Sequence, residues 1–307
     1  MLIFLKRIFM KKNFDTQFIT KLLNKENHES GLYVVATPLG NLGDITIRGL
    51  NILSSSDLVL CEDTRISKRL TSKYGIKCTM KSFHKYNSKK LIEGVILSLK
   101  SGKVISLISD AGTPLISDPG SDLVSACVME NIKVYSIPGP SAVIASLVTS
   151  GISTEQFTFL GFFPRNNRKK KIFLEQISSS SETIILFESP KRILKTINEL
   201  RNFLNDRKIS VVRELTKKNE EVITGSFSHV HNQLYEKEKI LGEITLIIEM
   251  NIQKNEINIS DRMILNFANK LKLNKLTISD TSKKIADEFG ISKRRVYQLI
   301  IKNKIEI

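Results

Sequence analysis

The sequence predicts an α/β protein with two domains followed by a small helical domain. Its 307 residues exceed the length of one typical domain. Up to about residue 140, apolar strand-like segments alternate with helical ones, which predicts a parallel sheet. After residue 150 strands outnumber helices, which predicts a mixed sheet. We therefore expect a leader over 1–30, α/β domains over 31–140 and 141–250, and a linker with a helical domain over 251–307.

Four buried strands are predicted in the first domain. The segments GLYVVATP, DLVLCED, KVISLISD and IKVYSIPGP are apolar in continuous runs rather than at alternate positions. Strands of this kind are covered on both faces, as in parallel sheets flanked by helices. Helices are predicted between them, the first capped by Asp44 or Thr46 and the second closed by Gly75.

The second domain and the tail have different patterns. A helix follows Pro138, and then come five strand segments, from QFTFLGFFP to GEITLIIEM. In the tail, two helical segments flank Gly290 and share apolar positions such as Ile285 and Val296. That arrangement predicts a helix-turn-helix, with an ordinary helical hairpin packed on the body as the alternative. The leader is expected to be disordered, with Met1 or Met10 as the start.

The chain is strongly basic, with 47 Lys and Arg against 31 Asp and Glu and a net charge of +16. Part of this surplus reflects a composition rich in Lys and Asn throughout. Clustered basic residues nevertheless indicate a polyanionic partner, nucleic acid before membrane. Three distant cysteines and the lack of a long apolar stretch predict a cytoplasmic protein without disulfides, a metal site or a membrane anchor.

Four loops rich in Gly, Pro and Asp follow the predicted strands of the first domain. They are ATPLGNLGD (36–44), CEDTR (61–65), SDAGTPLISDPG (109–120) and PGPSA (138–142). Because the C-terminal ends of parallel strands lie at one edge of a sheet, these loops are predicted to converge on one ligand crevice. The glycine-rich dinucleotide fingerprint and the P-loop are both missing from the sequence, which disfavours dinucleotide binding and nucleoside triphosphate hydrolysis.

These loops, together with the later motifs GFFPR, FESPKRI, RELTK and GEITLIIE, resemble the tetrapyrrole-methylase superfamily of S-adenosylmethionine-dependent enzymes. The resemblance runs from about Gly31 to Met250, and the helical tail fits the type. Within the superfamily, the sequence most resembles enzymes that methylate the ribose 2′-hydroxyl of a cytidine in the decoding centre of small-subunit (16S) ribosomal RNA. The resemblance implies the same methyltransferase activity and a two-domain fold. It also implies that the small ribosomal subunit is the partner and that the protein is a homodimer.

The resemblance also implies that S-adenosylmethionine binds in the cleft between the two domains, mostly through backbone groups. Glycine lets the main chain approach a ligand closely, and proline fixes the shape of a loop. The implied donor-binding residues are Pro38, Leu39, Gly40, Asp110, Ala111, Gly112, Thr113, Pro114, Ser141, Ala142, Phe187, Gly242, Ile244 and Thr245.

Methylation of a ribose hydroxyl requires in-line approach of the oxygen and removal of a weakly acidic proton. Asp63 or Glu188 is favoured as the base, and Arg65, Arg192 and Arg213 are predicted to hold phosphate or the carboxylate of the base. For each of these residues, a structural ion pair at the domain seam is the alternative. Further candidates beside the crevice are Glu62, Glu214 and Lys217.

Two basic stretches are predicted to bind RNA phosphates, independently of sequence. The first, PRNNRKKKI (164–172), is expected to be an exposed loop, and the second begins the last helix. Their basic residues are Arg165, Arg168, Lys169, Lys170, Lys171, Lys293, Arg294 and Arg295. Two alternatives stay open. A methylase of a tetrapyrrole such as a corrinoid needs no such patches, and a non-enzymatic nucleic-acid-binding protein leaves the four converging loops unexplained.

Overall fold

The computed structural model describes residues 28–204, 207–250, 261–271, 277–289 and 291–303. The predicted linker at 251–260, and the predicted leader apart from its last three residues, lie outside the described residues. Within the described ranges the chain forms two five-stranded sheets covered by helices, followed by a group of helices. This architecture confirms the predicted fold class.

The first sheet is fully parallel, with the strand order β3-β2-β4-β1-β5. Every residue of the first and fourth strands is buried, as their continuous apolar runs predict. Neighbouring residues of a strand pack on opposite faces of the sheet, as shown by Leu32 and Tyr33, which belong to different core clusters. In chain order the elements are β1 Gly31–Val35, α1 Ile47–Ser55, β2 Leu58–Cys61, α2 Thr64–Lys73, β3 Met80–Ser82, α3 Ser88–Lys100, β4 Val104–Ile108, α4 Ser121–Met129 and β5 Val134–Ile137.

Two predicted helix signals in the first domain are confirmed. The Thr46 hydroxyl accepts a 3.0 Å hydrogen bond from the Gly49 N–H and caps α1. Gly75 follows α2 with a φ of 67°, the left-handed conformation that glycine tolerates. The sequence analysis missed β3, because Lys81 and Ser82 in this short edge strand break the apolar pattern of a buried strand.

The second domain contains a mixed sheet and four helices. The elements are α5 Ala142–Thr149, β6 Phe157–Phe162, α6 Asn167–Ser179, β7 Thr183–Glu188, α7 Ile193–Leu204, β8 Lys208–Arg213, β9 Glu221–Ser226, α8 Phe227–Tyr235 and β10 Ile244–Ile248. The strand order is β6-β7-β10-β8-β9, in which the first pair is parallel and the other pairs are antiparallel. Helices α6, α7 and α8 cover one face of the sheet, and α5 packs Val143 and Leu147 on the other.

The basic stretch 164–172 belongs mostly to a helix. The Asn166 side chain accepts hydrogen bonds from the N–H groups of Arg168 (2.9 Å) and Lys169, which caps α6. Phe173, Leu174 and Ile177, farther along α6, face the core of the second domain. The prediction of an exposed loop is therefore wrong. The stretch contains a helix cap and the first turns of an amphipathic helix, which its many charged residues made hard to recognise.

Three helices form the described part of the tail: α9 Asp261–Leu271, α10 Ile278–Phe289 and α11 Lys293–Lys302. The predicted pair is α10 and α11, and α9, which the sequence analysis did not predict, contributes Ile264 and Ala268 to their shared core. Across the described ranges, no helix has both the length and the apolar character needed to cross a membrane.

Candidate active site

The loops that follow β1 and β4 are joined to each other by backbone. Thr37 and Gly112 exchange two hydrogen bonds of 2.8 and 2.9 Å, and the Thr37 hydroxyl donates to the Ser109 carbonyl at 3.1 Å. The Thr113 hydroxyl donates to the Pro140 carbonyl at 3.0 Å, which ties in the loop after β5. Because all these strands are parallel, the predicted loops do meet at one edge of the first sheet.

The loop after β4, residues 109–120, has an unusual backbone. Gly112 has a φ of 78°, and so do two residues with side chains in the same region, Leu115 at 75° and Ser117 at 70°. Non-glycine residues rarely adopt this left-handed conformation, and it persists only where the surroundings hold it in place. Holding non-glycine residues in this conformation costs free energy, and loops with such strained residues are typical of ligand-binding segments.

A first cavity of about 370 Å³ lies between this loop and the second sheet. Its second-domain side is largely apolar, with the rings of Phe162 and Phe187 packed edge to face at 5.7 Å. Most of the predicted donor-binding residues line it: Leu39, Asp110, Ala111, Gly112, Thr113, Ser141, Ala142, Phe187, Gly242, Ile244 and Thr245. Pro38, Gly40 and Pro114 do not.

The sequence analysis missed other residues of the first cavity. Asp118 and Ser117 belong to a motif that was singled out, so their place in the 109–120 loop was a usable signal. The apolar residues carry no signal that separates them from ordinary core positions. Glu243 of the GEIT segment (242–245), which was predicted to contribute to the donor site, and the predicted base Glu188 line the same cavity. The lining residues not predicted are Ile116, Ser117, Asp118, Val143, Phe162, Ser189, Pro190, Val212 and Leu215.

A second cavity of about 490 Å³ adjoins the first. The two share Leu39, Asp110, Ala111 and Glu243 as walls. Pro38 and Gly40, predicted to bind the donor, line this second cavity instead, together with two basic side chains, Arg69 and Lys217. The site therefore has two compartments, one mainly apolar and one with cationic groups, and Asp110 lies at the wall between them.

Burial raises the pKa of two carboxyl groups that line the first cavity, Asp110 and Asp118, and also that of the nearby Glu62. The pKa of Asp118 is raised to about 6, mainly by burial and in smaller part by the nearby Glu62, Asp110 and Glu243, against the lowering effect of a hydrogen bond with Ser109. Burial also raises the pKa of Asp110, although its Oδ1 accepts a 3.0 Å hydrogen bond from the Asp63 N–H. A raised pKa makes a carboxylate a stronger base and gives it a strong preference for a cationic neighbour.

Asp63 has the opposite environment. Its carboxylate accepts hydrogen bonds from the Arg65 N–H at 2.8 Å and from the guanidinium at 2.6 Å, and it caps α2. These bonds with Arg65 lower its pKa to about 2, which makes it a weak base. The catalytic roles of Asp63 and Arg65 stay predictions. The geometry favours Asp63 as a helix cap and as the residue whose backbone holds Asp110.

Glu188 is 2% exposed, and both of its carboxylate oxygens are engaged. Oε1 accepts from the Ser189 N–H at 2.7 Å, and Oε2 accepts from the Thr196 hydroxyl at 2.7 Å. Arg192 pairs with Oε2 at 3.2 Å and donates to the Phe163 carbonyl at 2.7 Å. This network favours a structural role for both residues, at the end of β7, over proton transfer or RNA contact.

Lys217 lies at the seam between the domains, where its Nζ pairs with Glu214 and Glu243, each at 3.0 Å. The space that a Gly40 side chain would need is filled by the Lys217 aliphatic chain, and Glu214 fills the corresponding space at Gly242. We expected Gly40 to give room to a ligand. Its missing side chain instead gives room to Lys217, so this glycine serves domain packing first.

The predicted RNA-binding residues differ in exposure and in whether another residue of the protein bonds them. Arg213 pairs with Glu221 at 3.0 Å and donates to the Leu241 carbonyl, so its guanidinium is committed to the second domain. Lys170 is bonded to Glu199 at 2.8 Å. In the tail, Lys293 donates to Ser279 and Arg295 to Asp261, both at 3.1 Å. The exposed residues are Arg165, Arg168, Lys169, Lys171, Lys293, Arg294 and Arg295.

Comparisons with known structures support the fold. Cobalt precorrin-4 methyltransferase, a cobalamin biosynthetic enzyme, is 18% identical with a TM-score of 0.54, and the match covers 71% of this chain and 94% of that one. Diphthine synthase is 14% identical with a TM-score of 0.58, covering 73% and 93%. At these identities the likeness concerns the fold alone.

Comparisons of sequence identify the family. The model of the family "Tetrapyrrole (Corrin/Porphyrin) Methylases" matches residues 31–231. The ribosomal RNA small subunit methyltransferase I of Thermotoga maritima is 42% identical over 71% of this chain and 97% of its own length. The protein of the same name from Rickettsia prowazekii is 38% identical over 90% and 98%. The chain therefore belongs to the tetrapyrrole methylase family, in the group of the ribosomal RNA small subunit methyltransferases I.

Proposed function

We propose that this chain is an S-adenosylmethionine-dependent ribosomal RNA methyltransferase that modifies the 2′-hydroxyl of a cytidine in the decoding centre of 16S rRNA. The observation that carries the proposal is the pair of adjoining cavities with Asp110 in their common wall. The names of the relatives supply the substrate class. The cytidine, the small subunit as partner, the homodimer and the cytoplasmic location rest on the family resemblance.

The first cavity suits S-adenosylmethionine. Its volume is in the range of small-molecule sites, and the edge-to-face rings of Phe162 and Phe187 offer an apolar wall to a flat heterocycle. Asp118, ionised above about pH 6, favours a ligand with positive charge. When bound, S-adenosylmethionine supplies a methyl group on a cationic sulfonium.

The second cavity suits the acceptor nucleotide. The exposed Arg69 lines it, and a guanidinium attracts phosphate. Asp110 faces both cavities, so we assign to its carboxylate the acceptance of the proton from the ribose hydroxyl. The Asp63 N–H bond to Oδ1 orients it, and burial keeps its basicity high. The aliphatic chain of Lys217 packs against Gly40, and the Asn41 N–H donates a 3.0 Å hydrogen bond to the Thr216 hydroxyl, so these two contacts hold the second-domain loop against the first domain.

The test is methyl transfer from labelled S-adenosylmethionine to small ribosomal subunits that lack the modification, with bare 16S rRNA and a corrinoid precursor in parallel. We expect the label in a ribose-methylated cytidine of the subunit RNA. Label in the corrinoid alone would keep the fold and overturn the substrate. No binding of the methyl donor would overturn the cofactor assignment.

A further inference from the structure

The loop that follows the edge strand β3 carries an exposed aromatic side chain. Tyr86 is 92% exposed, the highest value among the large hydrophobic side chains of the described residues. A single exposed aromatic side chain is common and proves little by itself. Its setting is what distinguishes Tyr86.

Hydrogen bonds and a buried anchor residue hold the loop in one conformation in the structure. The Asn87 side chain accepts from the His84 N–H at 2.8 Å and donates to the Ser82 carbonyl at 2.9 Å. Phe83, 1% exposed, anchors the start of the loop in the core. The His84 ring lies edge-on to Tyr86 at 6.0 Å. Because these contacts fix the loop, the exposed Tyr86 ring is preorganised to contact a partner.

The surroundings of Tyr86 are cationic. Lys81, Lys85, Lys89 and Lys90 are exposed on β3, on the loop and in the first turn of α3. None of the four forms an ion pair with another residue in the described part of the chain. Lysines left free around an exposed aromatic ring fit a polyanion that also carries flat bases.

The loop lies beside the active site. β3 is parallel to β2, so both strands end at the edge that carries the two cavities. The Phe83 N–H donates to the Cys61 carbonyl at 2.8 Å, and the Ser82 hydroxyl donates to the Glu62 carbonyl at 3.1 Å. The next residue, Asp63, donates its N–H to Asp110. One short loop therefore separates the Tyr86 surface from the proposed reacting group.

We infer that this Tyr86 surface, residues 81–90, binds single-stranded RNA next to the target nucleotide, with one base stacked on the Tyr86 ring and the lysines on its phosphates. The inference rests on the proposed function. It adds a binding surface separate from the basic stretches of α6 and α11, on the rim of the cleft, where a strand that places one nucleotide in the second cavity would continue.

The sequence contains no tryptophan, so a tryptophan introduced at this position reports on its own surroundings. The experiment titrates Tyr86→Trp with a short single-stranded RNA labelled with fluorescein. It follows the tryptophan emission and, separately, the anisotropy of the RNA. Tyr235→Trp is the matched control, because Tyr235 is also exposed, at 73%, but lies on α8 of the second domain. We expect quenching in Tyr86→Trp alone, at the RNA concentrations where the anisotropy rises.

A second set of variants tests the energetic role. Tyr86→Phe should keep RNA affinity close to wild type, whereas Tyr86→Ala should weaken it about tenfold, with donor affinity unchanged in both. RNA binding without a change in tryptophan emission would overturn the Tyr86 surface and leave the proposed function standing. Quenching only by intact subunits, and not by free RNA, would overturn the contact with single-stranded RNA and assign the loop to a folded part of the subunit. A chain that binds neither RNA nor intact subunits would overturn both proposals.

Discussion

The two domains present different kinds of charged residues to the cleft they share. In the second domain, Glu188 pairs with Arg192 and Glu243 pairs with Lys217, so each of these cavity-lining charges is already neutralised by a protein group. In the first domain, Asp110 and Asp118 line the cavities and form no ion pair with any described residue. Reactivity toward a ligand is expected where a charge is not yet compensated. This difference favours a first-domain carboxylate, rather than Glu188 of the second domain, as the base.

The largest effect is expected from Asp110→Asn. Asparagine keeps the size of the side chain but cannot accept a proton, so the single-turnover rate of methyl transfer at saturating donor should fall at least about 100-fold. Donor affinity, measured by calorimetry, should change only a few-fold.

Asp63→Ser is the control for this prediction. Serine keeps the α2 cap and the backbone N–H that holds Asp110, while removing the carboxylate. We expect a rate close to wild type. Loss of activity in Asp63→Ser with a near-normal rate in Asp110→Asn would return the base to Asp63, one of the two bases predicted from the sequence.

The difference between the two domains also explains what sequence could predict. The backbone-rich loops were found from Gly and Pro in their motifs, because these residues determine local conformation. Whether an acid is free depends on contacts that form only in the folded chain. Asp110 accepts its hydrogen bond from Asp63, 47 residues earlier, while Glu188 is engaged by Thr196, eight residues after it, once β7 and α7 pack together. The residue pattern does not show which of these contacts forms. The Tyr86 surface was missed for a related reason, since its edge strand is too short and polar to be recognised.

A tenfold effect of pH is expected from Asp118. With a pKa of about 6, its carboxylate becomes ionised between pH 5 and 7.5, so affinity for a cationic donor should rise about tenfold over that interval. Asp118→Asn should remove this dependence. A wild-type affinity that stays constant with pH would show that Asp118 does not contact the donor.

The stability of the donor-free protein should fall as the pH rises, whereas its affinity for the donor should increase, and both changes are expected from the ionisation of Asp118. Its folded-state pKa is raised, so its contribution to stability is complete below the unfolded value near 4 and is lost as the pH rises through about 6. The melting temperature of Asp118→Asn should therefore exceed that of wild type most clearly above pH 7. An equal difference at pH 4 and pH 8 would contradict this.

A smaller effect on catalysis is expected at Glu188. Glu188→Gln removes the buried partner of Arg192, which should lower the free energy of unfolding by about 2 kcal/mol, while the rate per folded molecule stays within about threefold. Chemical denaturation and activity at low temperature separate the two quantities. Glu199→Gln on α7, which breaks a more exposed pair, is the control and should cost less. A stable but inactive Glu188→Gln would make Glu188 the base after all.

The smallest effect concerns two adjacent lysines in the first basic stretch. Lys169 is exposed, whereas the Lys170 ammonium is bonded to Glu199 and lies 5.6 Å from the centre of the Phe163 ring. A free lysine that contacts phosphate releases a counterion on binding, so Lys169→Ala should reduce the slope of log affinity against log salt by about 1. Lys170→Ala should leave that slope unchanged and lower the melting temperature instead. Equal slopes for both variants would mean that pairing within the protein does not decide which basic residues reach RNA.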